Sequence, residues 1–458
     1  MSDVYSRLRD IVRGGPRPPA KELAYEPEPG YEAGPDPARL AEALGGRSLD
    51  TAAGPCLVVD RRYEADRWHG RVRVGDCEVA DETPLRLLDG LLPQAAAHGR
   101  RDGPATVFVD LETTGLSGGA GTVAFLVGCG WFDLGAFQVR QFLLTRFAGE
   151  RALLAAVADL VRPADLVVTF NGKTFDLPVM ETRWLFHRLE TPFADKRHFD
   201  MLHPARRLWR YRDGTPVTRP VPTVDAMAEC SLGALERDLL GVQRIGDVPG
   251  FEIPSRYFRF LRGGDPGPLE AVLEHNRIDL ISLAAVMARA CRLVTDGVDA
   301  CRDAAECLAL GRVLERTGDG RRAEACFHRA VERGGPQVQV TAWRRLAGLF
   351  RRERRYAEAA ACWQEILAVR SRALDVVVAR REALEALAVH HEHRAKDLDG
   401  ARAFAREALS GAEAARRAAS LRHRLDRLER KLTHVQTKGR PEGRPLLAER
   451  QAGGDDQA

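Results

Sequence analysis

Asp110 and Glu112 stand two residues apart in the apolar run TVFVDLE, so on a strand both side chains leave the same face. Val107, Val109 and Leu111 then point the other way, toward a core. Two neighbouring carboxylates on a buried strand destabilise it unless something neutralises them, and a hard divalent cation with oxygen ligands does so. An exposed edge strand with two solvated acids is the plainer alternative, but the apolar flanks and the Gly-rich TTGLSGGAGT turn argue against it. Asp176 follows in NGKTFD, past a strand end and at a helix start. Asp279 closes HNRID on a long helix, with His275 four residues before it and therefore on the same helix face. Singly, Asp176 reads as a helix cap and His275 with Asp279 as a surface pair. Together, four acids and one imidazole suit a two-metal phosphodiesterase, in which two cations about 4 Å apart clamp the attacking and leaving oxygens. Asp110 would bridge both ions, Glu112 and Asp279 would complete one shell, and Asp176 would hold the second ion. His275, neutral and basic near pH 7, could take the proton from the attacking water. Mg²⁺ needs few carboxylates and keeps its waters, so this small ligand set suits it. His and Cys are not grouped as a zinc site requires.

Other residues have two readings each. Asn171 and Lys173 precede the Asp176 helix and could meet phosphate oxygens, or Asn171 could only fix the turn. Asp200 in HFDML is another acid at a strand end, a candidate for supporting the site from behind. Arg206, Arg207, Trp209, Arg210, Tyr211 and Arg212 mix bases and aromatics as a single-strand track does, and as an amphipathic helix with a basic outer face does. Trp68 and His69 beside a turn read as packing. The SGGAGT loop lacks the GK[ST] of a nucleotide-binding P-loop, which argues against ATP.

These residues need a sheet to carry them. TVFVDLE, TVAFLVGCGWF and AFQVRQFLL read as an antiparallel meander. ERALLAAVADLV (helix), DLVVTFNG (strand) and TFDLPVMETRWLFHRL (helix) then alternate, and PLEAVLEHNRIDLISLAAVMARACRLV is a long helix. The expected class is α/β, a mixed sheet flanked by helices, over residues 101–297. Residues 38–100 read as a small β/α extension packing on that domain, and 1–37, rich in Pro, Gly and charge, as a flexible arm. From 300 to 435 the chain is helical and repetitive. Leu310, Gly311, Ala323, Phe327 and Ala330 fall at tetratricopeptide spacing, as do Leu346, Ala347, Ala359, Trp363 and Ile366. A third, poorer copy has Leu387, Ala388, Ala401, Ala405 and Ala408, and three repeats are about the minimum for a stable stack. Residues 436–458 read as a disordered tail.

With 458 residues the chain should hold two or three domains, and 45% hydrophobic residues suffice for sizeable cores. The net charge of +4 does not by itself announce a nucleic-acid binder, and the excess of Arg over Lys fits a GC-rich genome as well as it fits phosphate recognition. Nine Cys without a CxxC pair argue against a disulfide framework. No leader or membrane-length apolar run is evident, so a cytoplasmic location is expected.

DLETTGL, NGKTFD and HNRID resemble the three exonuclease motifs of the DEDD, ribonuclease H-like 3′–5′ exonuclease superfamily. VDLETTGLSGGAGTVAFLVG, TFNGKTFDLPVMETR, HPARRLW and LEHNRIDLISLAA resemble, more closely, its bacterial family with C-terminal tetratricopeptide repeats. The resemblance implies a ribonuclease H-like domain followed by an all-α tetratricopeptide-like domain. It implies two Mg²⁺ or Mn²⁺ ions on Asp110, Glu112, Asp176 and Asp279, with His275 as general base. It also places Thr113, Thr114, Gly115 and Leu116 against the 3′-terminal nucleotide of DNA, RNA being the other substrate it allows. A role in DNA repair follows by the same route, with a protein partner on the repeats, a helicase among the choices. One departure stands out. His-type members have four residues between the His and the last Asp and Tyr-type members have three, whereas this chain has a His at the three-residue spacing. That leaves His275 as base or as a residue that only orients water. The rival readings are a catalytically silent nucleic-acid-binding scaffold and a structure-specific endonuclease.

Overall fold

The computed structural model describes residues 37–94, 103–115, 121–212, 215–216, 230–410 and 415–438. The expected N-terminal arm (apart from Pro37), the SGGAGT loop through residue 120, Leu116, most of the DGTPVTRPVPT loop and the tail beyond 438 lie outside the described residues.

A mixed seven-stranded sheet carries the N-terminal half. In sequence its strands are β1 (Arg47–Thr51), β2 (Gly54–Tyr63), β5 (Thr106–Thr113), β6 (Ala124–Asp133), β7 (Ala136–Leu143), β8 (Leu166–Thr169) and β9 (Arg197–Asp200), while β3 (Trp68–His69) and β4 (Val72–Arg73) form a separate hairpin. Across the sheet the order is β1-β2-β7-β6-β5-β8-β9. The meander β5-β6-β7 is antiparallel as its short turns require, and β8 and β9 join β5 in parallel, each after a helical crossover. The β1–β2 hairpin continues this same sheet: β2 pairs along β7 from Leu57 opposite Leu143 to Tyr63 opposite Phe137.

Alternation along β5 decides what each face carries. Val107, Val109 and Leu111 enter one core with Phe125, Val127 and Phe142. That core also takes in α1 (Pro37–Ala43), α3 (Glu150–Val161), α4 (Asp176–Phe186) and α7 (Ile253–Gly263). Phe108 enters the other core, with Phe137, Val168 and Phe199. The 30-residue helix α8 (Gly267–Asp296) serves both: Leu269, Val272 and Leu273 belong to the first core, and Leu280 through Val294 to the second. On the second face also lie α2 (Thr83–Leu88), α5 (Leu202–Trp209) and α6 (Leu232–Leu235), the last extended by a π-helical turn from Glu236 to Leu240.

The rest is all helix: α9 (Ala304–Arg316), α10 (Gly320–Arg333), α11 (Pro336–Arg352), α12 (Tyr356–Ala368), α13 (Leu374–His390), α14 (Leu398–Ser410) and α15 (Ala415–Lys438). Each packs on the next, with small residues at the seams. A Cβ on Gly311 would lie 2.5 Å from the Phe327 ring, so only glycine lets α9 and α10 meet there. The Arg-rich face of α15 is engaged within the protein, since Arg424, Arg427 and Lys431 all bond the buried Glu392. The joint between the halves is tied by Glu306, which is buried, accepts from Trp209 Nε1 at 2.8 Å and from Arg289 Nη2 at 2.8 Å. Trp209, one aromatic of the candidate strand track, is therefore part of this joint, and the side chains of Tyr211 and Arg212 lie outside the described part of the chain. No helix among the described residues is long and apolar enough to cross a membrane, and the nine cysteines are buried free thiols.

Candidate active site

Three elements bring the acids together: β5 supplies Asp110 and Glu112, the first turn of α4 supplies Asp176, and α8 supplies Asp279. They are near enough to raise one another's pKa. Burial, then the charges of Asp279, Glu112 and Asp176, hold Asp110 well above the usual carboxylate range. Burial with Asp279 and Asp176 does the same to Glu112. Asp176 is pushed to about 7 by burial and then by Asp200. Burial raises Asp279 too, against the opposing pull of Arg244 and His275.

Asp110 is held from behind by a polar relay. In the register across β5, β6 and β7, Asp110, Gly128 and Gln141 lie in one row. Asn276 of α8 lies over the glycine: its Nδ2 donates to Asp110 Oδ2 at 2.8 Å, and its Oδ1 accepts from Gln141 Nε2 at 2.8 Å. A Cβ at Gly128 would fall 2.2 Å from Asn276 Oδ1. Gln141 Nε2 also reaches Leu273 O at 2.8 Å, while its buried Oε1 has no hydrogen-bond partner among the described residues.

Asp176 reaches the cluster from a loop shaped by Asp200. The Asp200 carboxylate accepts from the backbone N–H of Asn171 at 2.8 Å, of Lys173 at 3.0 Å and of Leu202 at 3.1 Å. Asn171 takes φ of 70°, a left-handed conformation Asn tolerates, and its Oδ1 accepts from Thr174 Oγ1 at 2.8 Å. Its side chain thus serves the turn. Lys173 Nζ points instead toward Asp89, 3.3 Å away. At the end of β5 the hydroxyls are likewise engaged locally: Thr113 Oγ1 donates to Gly115 O at 2.8 Å, and Thr114 Oγ1 accepts from Val123 N at 3.1 Å. A Cβ at Gly115 would meet open space.

Two residues that sequence reasoning passed over complete the site. Arg244 and Asp247 lie after the π-helical turn. The Arg244 guanidinium bonds both Asp279 and Glu236, and Nε lies 2.7 Å from Glu236 Oε2. Burial opposes the charge on Arg244, yet Glu236 and Asp279 outweigh it and raise the pKa above its ordinary value. Asp247 Oδ1 lies 2.7 Å from His275 Nδ1, and His275 Nε2 lies 3.4 Å from Asp279 Oδ2. An ionised carboxylate only accepts, so a neutral His275 carries its proton on Nδ1 and turns the Nε2 lone pair toward Asp279. Arg244 Nη1 stands 3.3 Å from the same Nδ1.

The donor set fits hard divalent cations: carboxylate oxygens with no thiolate among them, crowded until burial and repulsion favour their protonated forms. Among the described residues no three His, Cys, Asp or Glu side chains form a ready-made metal cage; the Arg244 guanidinium supplies the positive charge beside Asp279. The metal-free protein should accordingly lose stability as pH rises. Asp176 is at about 7 when folded against 3.8 for the free group, so the folded state binds the extra proton. Its contribution is full below about 4 and lost as pH passes 7, and every tenfold difference in proton affinity is worth about 1.4 kcal/mol. Mg²⁺ or Mn²⁺ should raise the melting temperature more at pH 8 than at pH 5; an equal gain at both pH values would exclude these acids as the ligands.

An RNase_H superfamily model matches residues 107–291, the span that holds every residue of this site. Over 393 residues the chain is 30% identical to the uncharacterized protein YprB of Bacillus subtilis (strain 168), covering 85% of this chain and 89% of that protein.

Proposed function

Since the chain belongs to the family of YprB and carries an RNase_H superfamily domain, we propose that it is a metal-dependent 3′–5′ exonuclease acting on nucleic acid, with DNA the favoured substrate and repair the setting. The observation that carries this reading is the convergence of Asp110, Glu112, Asp176 and Asp279 from three elements into one cluster, Glu112 and Asp176 buried and Asp110 and Asp279 half-buried. Clustered acids of this kind, each raising the others, are costly to the fold and useful to phosphodiester chemistry. Asp110, Glu112, Asp176 and Asp279 would hold Mg²⁺ or Mn²⁺, which when bound stabilises charge on the phosphate and lowers the pKa of water.

The chain's own groups do the remainder. Asn276 and Gln141 fix the rotamer of Asp110. Asp200 sets the loop that delivers Asp176. Asp247 holds His275 with Nε2 on the acidic side, where it can accept a proton from water. Replacing Asp247 by Ala is expected to lower kcat roughly 10- to 100-fold with KM little changed, because the imidazole loses its orientation but no substrate contact is removed. Steady-state kinetics check this, and a rise in KM alone would contradict it. Thr113, Thr114 and Gly115 at the end of β5 would face the terminal nucleotide mainly through backbone. The helical half, read as tetratricopeptide repeats, would line the substrate path or dock a protein partner such as a helicase.

The test uses 5′-labelled single-stranded DNA, duplex DNA and RNA with Mg²⁺, Mn²⁺ or EDTA. A metal-dependent ladder shortening from the 3′ end, absent with Asp110→Ala, is expected. Internal fragments would make the protein an endonuclease, and binding without cleavage would leave a scaffold.

A further inference from the structure

We propose that a nucleic-acid strand leaving the acidic cleft crosses a basic patch shared by the Lys173 loop, α5 and α9, so that the first repeat helix is part of the substrate path. This rests on the exonuclease reading and says where the rest of the substrate lies.

Two cations from separate elements meet at the C-terminal end of α2, and a third ends α9, which packs on both α2 and α5. Lys173, three residues before Asp176, reaches Asp89 with Nζ at 3.3 Å and is about one-third exposed. Arg207 of α5 is exposed and donates to the carbonyl of Leu88, the neighbour of Asp89, at 2.6 Å. Arg316 ends α9 and is also exposed. It is near enough to the same group that, after partial burial, the charge of Arg207 lowers its pKa while Asp89 pulls the other way. Asp89, which bonds Lys173 and adjoins the carbonyl that Arg207 holds, is buried. Among the described residues neither Arg207 nor Arg316 has a carboxylate at ion-pair distance. Like charges held close at a surface repel, and an anion relieves the repulsion.

The joint is rigid enough to make this a fixed feature. Trp209, two residues beyond Arg207, is hydrogen-bonded to Glu306 of α9, and Arg289 of α8 shares that carboxylate. Arg207 and Arg316 are therefore held by elements that cannot drift apart without breaking a buried polar contact. Because Lys173 belongs to the loop that delivers Asp176, the patch begins at the site and ends on the repeats. A repeating phosphate backbone is the anion whose length matches such a track.

The experiment measures binding in EDTA, with fluorescent single-stranded DNA and RNA of four and twenty nucleotides, over a salt series. Parent protein is compared with Arg316→Glu, Arg316→Gln and Arg207→Glu, and with Arg372→Glu as a control in the loop before α13. The parent should hold the twenty-mer far more tightly than the four-mer. Arg316→Glu should weaken the twenty-mer on the order of tenfold and flatten the log–log salt slope by about 0.7 for each phosphate no longer engaged. The four-mer should be unaffected, and Arg316→Gln should fall between Arg316→Glu and the parent. The DNA and RNA arms name the polymer. Twenty-mer affinity and slope unchanged in both Arg316→Glu and Arg207→Glu would overturn the path, as would a parent that holds both lengths equally. Trimming of 3′ ends by the parent with Mg²⁺ is scored separately, so a failed path leaves the exonuclease reading standing, and a parent that trims nothing sinks that reading by itself.

Discussion

Asp110→Asn is expected to abolish cleavage, by at least ~10³-fold, while making the metal-free protein more stable. The two effects have one cause. Asp110 lies where Asp279, Glu112 and Asp176 all repel its charge, and burial strips it of water. An amide of the same shape can still accept from Asn276 Nδ2, which now reaches Asp110 Oδ2 at 2.8 Å, so the relay need not break. What is lost is a formal charge, and with it a carboxylate ligand for the proposed metal. Removing a group that can ionise only among like charges relieves the remaining acids, so the melting temperature in EDTA should rise at alkaline pH and the gain on adding Mg²⁺ should shrink. Calorimetry with and without metal, beside the cleavage assay, measures both. Retained cleavage would remove Asp110 from the mechanism; a fall in metal-free stability would mean that the cluster is not under electrostatic strain.

Gly128→Ala should damage the fold and the site together. The added carbon would lie 2.2 Å from Asn276 Oδ1, 2.8 Å from its Cγ and 2.8 Å from its Nδ2. Asn276 cannot swing aside freely, because it is fully buried and bonded on both sides, to Gln141 and to Asp110. Either α8 moves off the sheet or the relay breaks and leaves buried polar groups unpaired. Either route costs about 1 to 3 kcal/mol, and a loss of stability in that range is expected. Activity should fall with it, since α8 also carries His275 and Asp279. Urea unfolding should show a lower midpoint at unchanged slope. An unaltered midpoint would mean that the helix has room to give.

Those two residues also show what the sequence makes legible. Asp110 and Glu112 are readable because a strand repeats every two residues, and His275 with Asp279 because a helix places i and i+4 on one face. The mixed α/β sheet and the helical second half follow from the same periodicities, and the structure has both. Gln141 and Asn276 are polar residues in apolar surroundings, and nothing local says that they face each other across Gly128. That pairing exists only once β5, β6 and β7 are in register and α8 lies on them. Arg244 and Asp247 sit in GVQRIGDVPG, which has no period to read, and their roles come from the path of the chain past α8. The three-residue spacing before Asp279 looked like a departure. In the folded protein it sets His275 between two carboxylates, with Asp247 supplying the orientation that its position on the helix alone would not. Similarly, PCLVVDRRY reads as a small β element, but only pairing with β7 shows that it extends the main sheet.

The shared core at the joint bears on how the protein is made. Phe108, Phe137 and Val168 of the sheet belong to the same apolar cluster as Leu308, Leu310 and Phe327 of the first helical pair, with α8 between. A ribosome that has released everything through Asp296 has delivered all the acids but not the helices that cover this face. The nascent RNase H-like half would then hold the far end of α8, including Leu283, Val286 and Val294, without its final cover until α9 and α10 have left the exit tunnel. Synthesis order thus couples completion of the RNase H-like half to arrival of the first helical pair, and a message truncated between them should yield an aggregation-prone fragment.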